Sequence, residues 1–251
     1  MGTTNHWQSR KLTQNFLEEA RRAIPAADLQ FAVIDRIVRG WCQRPKRILD
    51  LGCGDGIMGR YLLNAYPNAH GLFIDNSDPM LEAARTSLKE TPNVTVCNGD
   101  LSLPDWTTIA EEHAPFDIVI SGFAIHHLTN ARKQQLYGEI FALLDAQGLF
   151  LNLEHVSSAT PSGTDLFDAF LIDHLHQFQH LSDPCVSRET TADSYTNRLD
   201  RHDNVLAPVE EQCRWLRRIG FTDVDCFFKA FEMAIFGGRR LANSRSNESV
   251  S

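Results

Sequence analysis

The chain has 251 residues, 43% of them hydrophobic and 22% charged, with a formal net charge of −8. That length suits one α/β domain with an inserted cap, and that composition supports an ordinary buried core. The acidic balance repels phosphate backbones, so broad nucleic-acid binding is disfavoured, and no run approaches the ~20 apolar residues of a membrane span. The first residues lack the apolar core of a signal peptide, and Gly2 alone is a weak lipidation cue. The six cysteines are scattered without a C-x-x-C pair. They read as reduced thiols in a cytoplasmic protein.

Helical periodicity opens the chain. Leu12, Phe16, Leu17 and Ala20 form one run, Leu29 to Val38 another, with Pro25 between them. Residues 1–44 are therefore expected to be an N-terminal helical segment. Strands and helices then alternate: a strand over Arg47–Leu51, a helix over Met58–Ala65, a strand over His70–Ile74, a helix over Pro79–Lys89, and strands at Val94–Val96 and Phe116–Ile120. A helix near Ala131–Leu144 and a fifth strand at Leu149–Leu153 follow. This rhythm predicts a mostly parallel sheet covered on both faces.

The rhythm breaks after Val156. Residues 157–207 read as a helical lid inserted in a domain spanning 45–238. Asp165–Phe178 is its expected main helix, with Leu166, Phe170 and Leu171 on its apolar face and Phe167 adjoining. A helix at Val209–Ile219 leads to a closing antiparallel hairpin, Asp223–Phe228 with Phe231–Phe236. Residues 239–251 are expected to be a flexible tail.

The most informative run is Ile48-Leu-Asp-Leu-Gly-Cys-Gly-Asp-Gly56. A buried strand turns sharply into a helix there, and glycines let backbone approach a ligand. The second strand ends on Asp75, whose carboxylate can accept from both hydroxyls of a ribose. An N-cap is the other role open to Asp75. Asn98-Gly-Asp-Leu101 follows the third strand, where Asp100 can accept from an adenine amino group. Met80 by itself reads as core.

This succession of motifs resembles the class I S-adenosylmethionine-dependent methyltransferases, over residues 45–155 most closely and over the final hairpin more loosely. The resemblance implies a Rossmann-like α/β fold with a seven-stranded, mostly parallel sheet and an antiparallel last strand. It implies S-adenosyl-L-methionine as cofactor. Asp50, Gly52 and Gly54 would hold its methionine end and Asp75 its ribose. Asn76 and Met80 would lie near the adenine, Asp100 and Leu101 at the adenine edge, and Ser121 and Gly122 beside the sulfonium. The run Ile74-Asp-Asn-Ser77 and the final hairpin are also similar to the carboxy-S-adenosylmethionine synthase subgroup. Arg198 and Arg201 fall near, but out of step with, that subgroup's carboxylate-binding arginine.

In an open α/β sheet the ligand lies beyond the carboxyl ends of the strands. Glu154, ending strand five, is the expected general base, with His127 and His155 next. The run His126-His127-Leu128 also reads as packing. Glu154, His155, His174, His176 and His180 offer metal-binding side-chain types, but without diagnostic spacing, so no metal is assigned. The expected activity is methyl transfer to a small-molecule acceptor at nitrogen, oxygen or carbon. Another use of the same cofactor (carboxyl transfer to the sulfonium or cyclisation) and tRNA modification are the alternatives, and a homo-oligomer is left open.

Overall fold

The structure is a computed structural model that describes residues 8–10 and 24–241, excluding the side chains of residues 199 and 200. The predicted run Leu12 to Ala20 and most of the expected tail lie outside the described residues.

Helix α1 (Ala27–Trp41) packs Gln30, Ile34 and Val38 inward at four-residue steps. Strand β1 (Arg47–Leu51) leads through the glycine turn to α2 (Ile57–Ala65). Strand β2 (His70–Asp75), α3 (Asp78–Ser87) and β3 (Val94–Asn98) complete the first half. The second half runs α4 (Trp106–Glu111), β4 (Phe116–Gly122), a 3₁₀ turn (Ile125–His127), α5 (Asn130–Leu143) and β5 (Leu144–His155). The lid follows as α6 (Pro161–Ser182), α7 (Arg188–Thr196) and a 3₁₀ turn (Leu199–Asp203). Helix α8 (Val209–Ile219) and the hairpin β6 (Thr222–Ala230) and β7 (Met233–Arg239) close the chain.

The sheet order is β3-β2-β1-β4-β5-β7-β6. Strands β1 to β5 are mutually parallel, and β7 lies antiparallel between β5 and β6. The seven-stranded sheet agrees with the expected fold. Successive side chains of a strand alternate between faces. Ile48, Ile118, Ile120 and Leu151 join one apolar core with Ile34, Leu62 and Leu81 of α1 to α3. Leu49, Leu51, Val119 and Phe150 join the other, with Trp106, Tyr137 and Leu216 of α4, α5 and α8. Burying both faces explains why β1, β2 and β4 read as continuous apolar runs.

Sequence caps fix where the helices begin. Ser77 Oγ accepts from the Met80 amide at the start of α3, Thr129 from Arg132 at α5, Thr160 from Gly163 at α6, and Ser187 from Thr190 at α7. At the far end of α5, the Arg240 guanidinium donates to the carbonyls of Phe141, Ala142 and Leu144.

Two expectations shift. Strand β5 is longer than Leu149–Leu153, because residues 144–148 extend its pairing beside Phe116. On α6 the inward face is Phe167, Leu171, Leu175 and Phe178, while Leu166 is 63% exposed.

Candidate active site

Strand order reverses direction between β1 and β4, and a crevice opens beyond the carboxyl ends of such neighbours. A cavity of ≈780 Å³ lies there, bounded on the other side by the lid. Small-molecule sites are commonly clefts of roughly 300–1,000 Å³.

One end of the cavity is built by the glycine turn. Gly52, Gly54 and Gly56 have φ of 63°, 56° and 82°, left-handed values that glycine adopts without steric cost. The Ile74 carbonyl accepts from the amides of Gly52 and Cys53 and holds the turn against β2. Gly54 and Gly52 line the cavity, and a Cβ on Gly54 would meet nothing nearer than Met80 Sδ, 3.8 Å away.

Asp75 also lines this end. Its Oδ2 accepts from the Gly54 amide at 2.9 Å and its Oδ1 from the Ser77 amide at 2.8 Å. Burial raises the Asp75 carboxyl above its usual range, against the lowering effect of these backbone bonds. The N-cap of α3 is Ser77, so Asp75 is not needed for that role. Each carboxylate oxygen retains acceptor capacity beyond its one amide. Asn76, Met80, Asp100, Leu101 and Gly122 line the same cavity. Asp100 Oδ1 accepts from the Ser102 amide, which fixes the carboxylate at the rim.

Three of the expected residues stand behind the wall instead. Asp50 shares a strand face with Ile48, turned toward α2, where its Oδ2 accepts from the Gly59 amide at 2.7 Å. Burial pushes its carboxyl up to about 8. Ser121 is buried and donates to the Leu51 carbonyl at 2.8 Å, stitching β4 to β1. Glu154 is 0% exposed and is not part of the cavity lining.

Glu154 is instead the centre of a buried polar cluster. Its Oε1 lies 2.6 Å from Nδ1 of His126 and accepts from the His155 amide at 2.8 Å. Asn152 Nδ2 donates to Oε2 at 3.4 Å. Burial pushes the Glu154 carboxyl up to about 7, opposed by the His155 amide and by His127, Lys133 and His155 nearby. Burial also drives the His126 imidazole well below its usual range, helped by His155, Lys133 and Arg198. The Lys133 ammonium donates to the Val205 carbonyl and to Asn130 Oδ1. Burial lowers it to about 8.

His126, His127 and His155 all reach the cavity. The His126 ring centre lies 4.0 Å from that of His127 and 5.8 Å from that of His155. His155 Nε2 faces Glu232 Oε2 at 3.1 Å. Glu232 also accepts from the Ser158 amide and the Thr164 hydroxyl, joining the β6–β7 turn to the lid. Burial works against this carboxylate, yet the bonds from His155, Ser158 and Thr164 bring it down to about 2.

Lys133, Tyr137, Gln212 and Glu232 escaped the sequence reading. Tyr137 donates to Gln212 Oε1 at 2.6 Å, and Gln212 Nε2 donates to the Ala207 carbonyl at 3.2 Å. The available signal was a polar residue on an apolar stripe: Lys133 and Tyr137 share the inward face of α5 with Leu136 and Ile140. His174, His176 and His180 do not line the cavity, and among the described residues no three His, Cys, Asp or Glu side chains are placed to hold a metal. Asp173 on the lid pairs with Arg188 at 2.5 Å. No helix among the described residues is long and apolar enough to cross a membrane.

The sheet order, the antiparallel β7 and the glycine turn at the switch point define the fold of class I S-adenosylmethionine-dependent methyltransferases. Residues 48–148 match a family model described as a methyltransferase domain. That segment is similar to such domains and makes up less than half of the chain. The chain is 35% identical over 108 residues to a demethylmenaquinone methyltransferase of Leptospira interrogans, covering 43% of this chain and 42% of that protein. It is 26% identical over 145 residues to malonyl-[acyl-carrier protein] O-methyltransferase 1 of Ilyobacter polytropus, covering 55% and 50%. The matches thus span about half the length of these relatives or less. An O-methyltransferase family protein of Burkholderia thailandensis superposes with a TM-score of 0.59 at 16% identity, covering 92% of this chain and 63% of that one. Human N-acetylserotonin methyltransferase in complex with S-adenosylmethionine superposes with a TM-score of 0.52 at 16% identity, covering 94% and 58%.

The residues present suit that cofactor. Its ribose hydroxyls need an acceptor, and Asp75 offers one at the cavity wall. Its sulfonium is cationic, and Asp75, Asp100 and Asp203 line the same cavity. Its amino-acid arm needs close backbone approach, which the open face of Gly54 allows.

Proposed function

We propose that the protein transfers a methyl group from S-adenosylmethionine to a small-molecule acceptor with an apolar body. The observation that carries the reading is one continuous cavity. Its glycine and Asp75 end suits the cofactor, and its lid end is walled by Phe167, Leu171, Leu175 and Phe178. The cofactor supplies an electrophilic methyl group. The protein holds an acceptor in line at roughly 3–3.5 Å, excludes water and manages the acceptor's proton.

Asp75 would bind the ribose, with Asn76, Met80, Asp100 and Leu101 around the adenine. Gly52, Gly54, Ser121 and Gly122 would shape the sulfonium end, Ser121 through its bond to β1 and Asp50 through its hold on the start of α2. Glu154, His127 and His155 would form the proton-handling cluster. The demethylmenaquinone and malonyl-carrier relatives bear names that point to different acceptors, and neither is transferred to this chain.

A second reading is carboxyl transfer to the sulfonium, as in the subgroup noted above, and it requires a cation facing the cofactor. Arg198 lines the cavity, stacked 4.1 Å over the Tyr195 ring. Arg201 is engaged by Asp168 at 2.8 Å.

Incubation with methyl-labelled S-adenosylmethionine separates these readings. Label entering the small-molecule fraction of a cell extract is the expected result. Label confined to tRNA or protein contradicts the proposal. So does a modified cofactor formed without any acceptor.

A further inference from the structure

We propose that His126 is the residue that takes the acceptor's proton, and that Glu154 is a positioning residue acting through it. This rests on the methyl-transfer reading above. Glu154 ends β5 at the right edge of the sheet, but its side chain is fully buried behind the imidazole. His126 stands between that carboxylate and the cavity.

One nitrogen of His126 is engaged by the carboxylate. Nδ1 lies 2.6 Å from Glu154 Oε1. With Nδ1–H donating to the carboxylate, Nε2 carries the lone pair, so the ring is a base before substrate arrives. The ring is fixed from the backbone side too, because the His126 carbonyl accepts from the Val205 amide at the end of the lid insert. Among its neighbours, His155 is tied to Glu232 and through it to Ser158 and Thr164, a junction between hairpin and lid.

Burial and the surrounding charges keep this base neutral at rest. Burial disfavours an added positive charge at His126 most, and His155 on β5, Lys133 on α5 and Arg198 beyond α7 add to it; His127 lies on the same turn. Glu154 is the carboxylate in contact with it. Burial raises the Glu154 carboxyl to about 7, opposed by the His155 amide, His127 and Lys133, so it is the carboxylate above neutral pH. In the transfer, the acceptor's electron pair goes to the methyl carbon and the carbon–sulfur pair remains on sulfur. The acceptor's proton goes to Nε2, where Glu154 compensates the charge until the proton leaves to solvent.

The deciding measurement is ¹⁵N-resolved NMR of the histidine rings in the ligand-free protein. The expected result above about pH 8, where Glu154 is ionised, is a neutral His126 in the Nδ1–H form, its proton shifted far downfield by the carboxylate. Glu154→Gln should move that proton upfield. An Nε2–H tautomer in the wild type would overturn the proposal, since Nε2 would then carry no lone pair to take the proton.

Kinetics supply the second readout, using the extract-labelling assay and S-adenosylhomocysteine as the binding probe. His126→Gln and Glu154→Gln should bind the probe within about threefold of wild type and lose about 10²–10⁴-fold in rate. The acidic limb of the Glu154→Gln rate profile should move to lower pH, because the imidazolium has lost its counter-charge; a merely structural Glu154 would not move it. Full turnover by His126→Gln with intact probe binding sinks the proposal but spares the methyl-transfer reading. Failure of the wild type to bind the probe sinks that reading instead.

Discussion

Replacing Gly52 by alanine tests the junction on which the candidate site stands. A Cβ built on Gly52 would lie 2.2 Å from Ala124 Cβ. Ordinary carbon contacts lie at about 3.5–4.0 Å, so Ala124 would have to retreat by more than 1 Å. Overpacking of this kind costs about 1–3 kcal/mol. The backbone adds a separate penalty, since φ is 63° and an L side chain there costs roughly 1–2 kcal/mol. Gly52→Ala should therefore lose about 2–5 kcal/mol. Ala124 leads into the Ile125–His127 turn, so relief of the clash should also weaken ligand binding. The double variant with Ala124→Gly removes the clash and leaves the backbone cost, so the cycle should show a favourable coupling of about 1–3 kcal/mol. Urea unfolding of the wild type, both single variants and the double variant measures it. Strictly additive losses would refute the contact, and an unchanged Gly52→Ala midpoint would refute the turn geometry as well.

Asp75→Ala should lower S-adenosylhomocysteine affinity by about tenfold or more, as expected for a charge-assisted contact of roughly 1.5–3 kcal/mol, with the fold retained. Equal affinity in calorimetry would leave Asp75 as only a clasp on Gly54 and Ser77. Between about pH 6.5, above the range where the depressed His126 contributes with the opposite sign, and about pH 8, stability should fall as pH rises. Asp50 and Glu154 have raised values, about 8 and about 7, so their contribution is present below the unfolded carboxyl range and lost through those values. Urea midpoints across that range check this, and Asp50→Asn should flatten the slope; a flat wild-type profile would contradict the assignment. Glu232 has the opposite sign, its contribution being lost as pH falls from about 4.5 toward about 2, so Glu232→Gln should flatten the acid limb of the same profile. Arg240→Ala should destabilise by about 1–3 kcal/mol by uncapping α5, and an unchanged thermal midpoint would argue against that role.

The glycine and Asp75 end of the cavity was legible because local chain geometry dictates it. A glycine turn after a buried strand and an acid ending the next strand are neighbours on the sheet edge, so Gly52, Gly54 and Asp75 could be placed together from spacing. Asp50 and Ser121 were assigned to the same end, yet strand alternation turns Asp50 toward α2 and sends the Ser121 hydroxyl to Leu51. That outcome depends on which face of the sheet a helix covers. Glu154 was found by its strand end, but its screening by His126 depends on a 3₁₀ turn between β4 and α5, whose path is set by tertiary packing. Lys133, Tyr137 and Gln212 converge across 72 and 75 residues of sequence, as in the bonds Lys133 to Val205 and Tyr137 to Gln212, and no local period reports such a meeting.

Calorimetric titration of the purified protein with S-adenosylhomocysteine tests the central claim most directly. Saturable one-to-one binding is expected, with a rise in the unfolding midpoint at saturating ligand and a clear loss of affinity in Asp75→Ala. No heat and no midpoint shift in the folded wild type would contradict the account of the cavity as a cofactor site.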